Sequence, residues 1–178
     1  MISLIEKCYR YRSVIFKRWF LSVKSEIIEK IKKHTQENEG QAIVIASQGG
    51  KTAIKLAEGL GKGAKIITIS EFSYSDSDKK VMKKRKMTAL ENADLPLQDL
   101  REMRETLLMF DSGIKAALEV ASIAASKGLV EGKFVTVAGS GKGIDTALVV
   151  NTAHPTQEAI SEPLKQLKIE RILASPLI

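Results

Sequence analysis

Apolar positions along the chain fall into two rhythms, short unbroken runs and stretches with helical spacing, and the two alternate. Ile27, Ile28 and Ile31 recur at helical spacing in SEIIEKIKK, which predicts an amphipathic helix stopping near Asn38-Glu39-Gly40. Gln41 to Ala46, QAIVIA, is a nearly continuous β-branched run, the pattern of a strand buried on both faces. Lys51 to Leu60 returns to helical spacing, with Ile54, Ala57 and Leu60 on one side, and Ala64 to Ser70 is a second strand. Strand, helix and strand in so short a span predict a right-handed βαβ unit with parallel strands.

Farther along, a lysine-rich helix is expected from Asp76 to Glu91, then a very short strand or a turn at Ala93 to Pro96. Two more helices follow, Leu97 to Phe110 and Gly113 to Lys127. The run LLMFD resembles a strand ending in a magnesium-holding aspartate, but Leu100, Met103, Leu107 and Phe110 keep helical spacing, so a helix is expected. FVTVA, Phe134 to Ala138, reads as a strand, as do Ala147 to Val150 and Ile169 to Ala174. The loop from Gly139 to Gly143 leaves no room for a crossover helix, so the strand after it should run antiparallel to FVTVA. Together these elements predict a three-layer α/β fold, a mostly parallel sheet with helices on both faces and an antiparallel pair near the C-terminus. No repeat, linker or shift of composition divides residues 1–178, so a single domain is expected, with 1–23 a basic and apolar arm.

Composition narrows the function. The chain carries 28 basic and 21 acidic residues, a net charge of +7, which favours anionic partners. Much of that charge lies in the arm and in KKVMKKRK, Lys79 to Lys86, read as the solvated face of a helix in preference to a nucleic-acid patch. Aromatic residues are only 5%, and none interleaves with the lysines as base stacking requires, so nucleic acid is an unfavoured partner. No apolar run is long enough to span a membrane, and the first residues lack the apolar centre and cleavage site of a secretion signal. Cys8 is the lone cysteine, which together with those features predicts a cytoplasmic protein. A homo-oligomer is compatible with all of this.

Three glycine clusters bear on chemistry. In ASQGGKTA, a triphosphate loop would need glycine five positions before Gly50, where Ile45 stands inside the strand. What remains is a tight turn, Ser47-Gln48-Gly49-Gly50, at a helix amino end whose amides and dipole attract one phosphate, with Lys51 and Thr52 adding a charge and a hydroxyl. Its plainer reading is a tight βα turn. The second cluster, Gly59 to Ala64, ends a helix and precedes a strand, the reverse of a dinucleotide fingerprint, and reads as a helix cap. The third, Gly139-Ser140-Gly141-Lys142-Gly143, follows a strand and offers consecutive amides as an anion nest, or else a flexible hairpin tip. Both the first and third loops should emerge at the carboxyl edge of the sheet, where such folds bind ligands.

GIKAALEVASIAASKGLV, FVTVAGSGKGIDTALVVNTAH and IERILASP, with AIVIASQGGKTAIKLAEGL and KIITIS, resemble the family of stand-alone proteins similar to the C-terminal α/β domain of pyruvate kinase. The chain departs from that pattern in its first strand, in EFSYSDSDKK, which lacks the family's usual histidine, and at Ser126. The resemblance implies a pocket for a phosphorylated molecule, flavin mononucleotide (FMN) in the stand-alone members. Its expected contacts are Ser47, Gly49, Gly50, Lys51 and Thr52 in one loop, with Gly139, Ser140, Gly141, Lys142, Gly143, Asp145 and Thr146 in the other. It implies no kinase activity, since that active site belongs to a barrel domain absent from this sequence.

Catalytic groups are sparse. His34, on a charged helix, is expected to be solvated, and His154, before Pro155, reads as structural or as a ligand contact. Glu119, beside Val120 on an apolar helix side, reads as a satisfied core carboxylate or an edge position. No nucleophile stands paired with a base and no metal-ligand spacing occurs. Two non-catalytic alternatives accompany FMN binding: a sensor of a sugar phosphate, and a nucleic-acid or membrane-surface protein led by the basic runs.

Overall fold

The computed structural model describes residues 25–139, 143–152 and 167–176. The expectations for His154, the N-terminal arm, Ser140, Gly141 and Lys142 lie outside the described residues.

A helix covering residues 25–37 (α1) precedes strand β1, Ala42–Ala46. Helix α2, Lys51–Leu60, leads to β2, Lys65–Ile69, and α3, Asp76–Lys84, to the short β3, Thr88–Leu90. A 3₁₀ turn at Pro96–Gln98 opens the pair α4, Arg101–Phe110, and α5, Ser112–Ser126. Strands β4, Lys133–Ala138, β5, Thr146–Asn151, and β6, Lys168–Ala174, complete the fold. The sheet has six strands in the order β3-β2-β1-β4-β5-β6. β3, β2, β1 and β4 are parallel, while β5 runs antiparallel to both β4 and β6. This is the α/β fold the alternating pattern predicts, including the hairpin after FVTVA.

Helices cover both faces. Ile43 and Ile45 of β1 with Val135 and Val137 of β4 meet Ile31 of α1 and Leu56 of α2 on one side. Val44, Ile67, Phe134 and Leu148 meet Ile114, Ala117 and Ala121 of α5 on the other. Because every β1 side chain finds a helix whichever way it points, its sequence shows no polar alternation. The buried face of α2 is Ala53, Leu56 and Ala57; of the expected stripe Ala57 lies on it, Leu60 packs partly buried beside it and Ile54 is half-buried, and Gly61, at φ 82°, caps the helix end as the second glycine cluster predicts.

Several expectations need correction. The lysine-rich helix ends at Lys84 instead of running to Glu91, because Lys86 adopts φ 57° and turns the chain into β3. Ala93 to Leu95 carry no strand, and the helix expected from Leu97 is a 3₁₀ turn before α4 begins. Of the α4 stripe only Met103 and Leu107 pack on the core, and Phe110 is 57% exposed. His34 is buried, not solvated: its Nε2 lies 3.1 Å from Gln41 Oε1, while Nδ1 has no hydrogen-bond partner among the described residues. The lysines at 80, 83 and 84 are exposed and only Met82 of α3 is buried, the solvated face expected of that run.

Two carboxylates tie the sheet edges and sense acid. Glu91 accepts from the Tyr74 amide and pairs with Lys79 at 3.0 Å, and these contacts hold it below the usual carboxylate range. Glu170 is held low by Lys133, at 2.8 Å, and by the Asn151 side-chain amide at 2.9 Å. A carboxyl with a depressed folded value releases its proton on folding. Its contribution is therefore full above the ordinary value of 4.5 and vanishes as pH falls through the folded one. Thermal melts followed by circular dichroism should show the melting temperature dropping below about pH 4.5. In Glu91→Gln/Glu170→Gln the melting temperature should start lower at pH 7 and drop less on acidification; an unchanged drop would remove this account.

Candidate functional site

β1 is the point where the winding reverses. Its outgoing connection leads through α2 toward β2, whereas the one from neighbouring β4 leads away toward β5. Loops that diverge from adjacent strand ends leave a crevice at the carboxyl edge. A cavity of about 480 Å³ occupies that crevice, within the size range of small-molecule sites.

The first wall is the β1–α2 loop. Ser47 donates its backbone N–H to Ile69 O at 3.1 Å, and the Ser70 hydroxyl donates to Gln48 O at 3.0 Å, so the loop is pinned to the end of β2. Gly50 closes the turn onto Ser47 O at φ 75°, a left-handed conformation that favours glycine. The first helical bond runs from Ile54 N to Gly50 O, and among the described residues no side chain caps the start of α2. Such a bare amino end is where a helix offers donors and positive potential to an anion.

The loop after β4 supplies the second wall. Ala138 accepts from Asp145 N at 3.2 Å, and Gly139 lies so close to Gly143 that a Cβ at 139 would fall on the Gly143 carbonyl. The loop base is thus pinched shut, which requires glycine at Gly139 by close approach; Gly143, at φ 112°, requires it by conformation.

Of the residues expected in the site, Ser47, Gly49, Thr52, Gly139 and Gly143 line this one cavity. Gly50 does not: it is buried on the opposite side of the turn, where a Cβ would come within 2.5 Å of Met82 Cε and 3.1 Å of Tyr74 Cδ1. The Tyr74 ring is anchored by a 2.8 Å bond between its hydroxyl and Thr68 Oγ1, and burial pushes its pKa up. Lys51 is exposed and outside the lining. Asp145 and Thr146 also stand apart from the lining; Thr146 Oγ1 donates to Asp145 Oδ1, and both crowd Gly113 at the start of α5. Their visible work is to seat β5 against that helix.

Sequence reasoning missed the far wall. Lys115 and Glu119 of α5 line the cavity, with Ser70 and Glu71 after β2 and Gln98 of the 3₁₀ turn. Glu119 is 3% exposed; its Oε1 accepts from Leu97 N at 3.1 Å and its Oε2 from Lys115 Nζ at 2.7 Å. The satisfied carboxylate was legible, its place in the cavity was not. The i, i+4 spacing of Lys115 and Glu119 was the available signal, since it puts both on one helix face. Ala46, Leu95, Ala116 and Val120 add apolar surface.

The lining thus combines the hydroxyls of Ser47 and Thr52 with a far wall of mixed polar and apolar groups. No aromatic ring lines the cavity among the described residues. Nor does any group of three or more His, Cys, Asp or Glu among them stand ready to hold a metal ion, and no described helix is long and apolar enough to cross a membrane. No protein-family model matches the chain.

Proposed function

We propose that the protein binds a phosphorylated small molecule in this cavity, with FMN the first candidate. The observation carrying the reading is the meeting, at one strand edge, of two glycine bends far apart in sequence, Ser47 to Gly50 and Gly139 with Gly143. Uncapped amides at the start of α2 and the hydroxyls of Ser47 and Thr52 would take the phosphate, while Ala46, Leu95 and Val120 would cover the body. Bound FMN would supply redox chemistry of its own, the protein contributing the grip and the orientation. The resemblance to the pyruvate kinase C-terminal domain supports the same pocket.

A second reading, a non-catalytic sensor of a sugar phosphate, is favoured by the absence of aromatic side chains from the described lining and by the polar groups of Gln98, Glu71 and Glu119. Mass spectrometry of small molecules released from the purified protein, with titration of FMN and ribose 5-phosphate, separates the two. Thr52→Val, which removes one hydroxyl donor, should weaken binding of either ester by about tenfold. A colourless preparation indifferent to both esters would remove the proposal.

A further inference from the structure

We propose that the Lys115–Glu119 pair reads the hydroxyl groups of the ligand's body, and so selects phosphate esters of polyols over other phosphate esters. The inference rests on the reading of the cavity as a phosphate-ester site.

Lys115 and Glu119 form an ion pair, at 2.7 Å, within the cavity wall. Its side chains retain 17% and 3% of their exposure, and both residues line the cavity. Burying opposite charges is a poor route to stability, because the desolvation they suffer offsets most of their attraction, and apolar residues of similar volume do as well. A ligand with hydroxyls gives the pair a different use. An ionised carboxylate has about four acceptor positions, and among the described residues Glu119 engages one donor on each oxygen; the ammonium likewise has more donors than the one bond to Oε2 it makes among them consumes. The wall therefore presents an acceptor and a donor side by side. A hydroxyl both gives and takes a hydrogen bond, and it matches that combination without needing charge of its own.

Geometry adds rigidity. Glu119 is fixed from behind by the Leu97 amide and Lys115 is fixed by Glu119, so neither group needs ordering when a ligand arrives. Net charge argues the same way: with Lys115 matched by Glu119, this wall adds no cation to attract a second phosphate. Anion binding is left to the glycine bends and discrimination to the pair.

The test is calorimetric titration of the full chain with inorganic phosphate, n-propyl phosphate, glycerol 3-phosphate, ribose 5-phosphate and FMN. Wild type should bind the hydroxylated esters at least about tenfold more tightly than propyl phosphate. In Lys115→Met/Glu119→Gln that preference, read as the ratio of polyol-ester to propyl-phosphate affinity within the same variant, should shrink by about tenfold. Lys115→Gln/Glu119→Gln, which also removes both charges, gives the same readout if the first double variant does not fold. A preference that survives, or an equal loss across all five probes, overturns the inference. If wild type binds propyl phosphate as well as the polyol esters, the inference fails while the phosphate site stands. If wild type binds none of the five, both fall together. Comparing FMN with ribose 5-phosphate shows whether the body is a flavin or a sugar alone.

Discussion

Gly139→Ala should lower stability by about 3 kcal/mol and remove the proposed ligand binding with it. The added Cβ would land on the Gly143 carbonyl oxygen and within 3.2 Å of Ile144 N, and these are backbone atoms that no rotamer change can move aside. To admit the methyl group the loop base must open, which strains the Asp145 N to Ala138 O bond that closes the hairpin. Opening also displaces Asp145 and Thr146 from Gly113, at the start of α5, the helix that carries the far wall of the cavity. For a chain of this length 3 kcal/mol corresponds to roughly 6–12 °C in melting temperature. Gly49→Ala is the control. It changes the other loop of the same cavity, but its Cβ would meet nothing within 4 Å, so its melting temperature should match wild type. Equal melting temperatures for Gly139→Ala and wild type would show that the pinch at the loop base carries no energy.

That contrast bears on what a reader of the sequence can and cannot see. The strands at Ala42–Ala46, Lys65–Ile69 and Lys133–Ala138 were plain because burial on both faces writes a nearly continuous apolar run, broken inside only by a buried threonine in the latter two. The hairpin after β4 followed from loop length alone, since a parallel return needs a crossover. β3 was hidden because it is three residues long, lies at a sheet edge and is largely exposed, so no periodicity marks it. The break before it is a positive φ at Lys86, a residue type that gives no warning of one. In the site, glycines flagged both bends, yet nothing local told Gly49, which faces the cavity, from Gly50, which faces Tyr74 and Met82. Lys115 and Glu119 reach the cavity only because the crossover from β3 to β4 lays α5 across the sheet at the point where the winding reverses. That is a property of topology, which no window of sequence contains.

The same pair yields the second large effect. Lys115→Met should cost about 2–3 kcal/mol, because it leaves the Glu119 carboxylate, 3% exposed, without its counter-charge. The figure lies below that for a fully enclosed pair, since Lys115 keeps 17% of its side-chain exposure and water reaches the site in part. Glu119→Gln should cost less, about 1 kcal/mol, because the glutamine oxygen still accepts from Leu97 N while the displaced ammonium turns to solvent. Combining the two removes both charges and keeps the Leu97 bond, so the double variant should be more stable than Lys115→Met alone. The double-mutant cycle, measured by urea denaturation, should therefore return a coupling energy of about 1–2 kcal/mol. Additive costs would mean that Lys115 and Glu119 each interact with water more than with each other. The far wall would then be a wet surface, and the acceptor and donor it presents would not be held in register for a ligand.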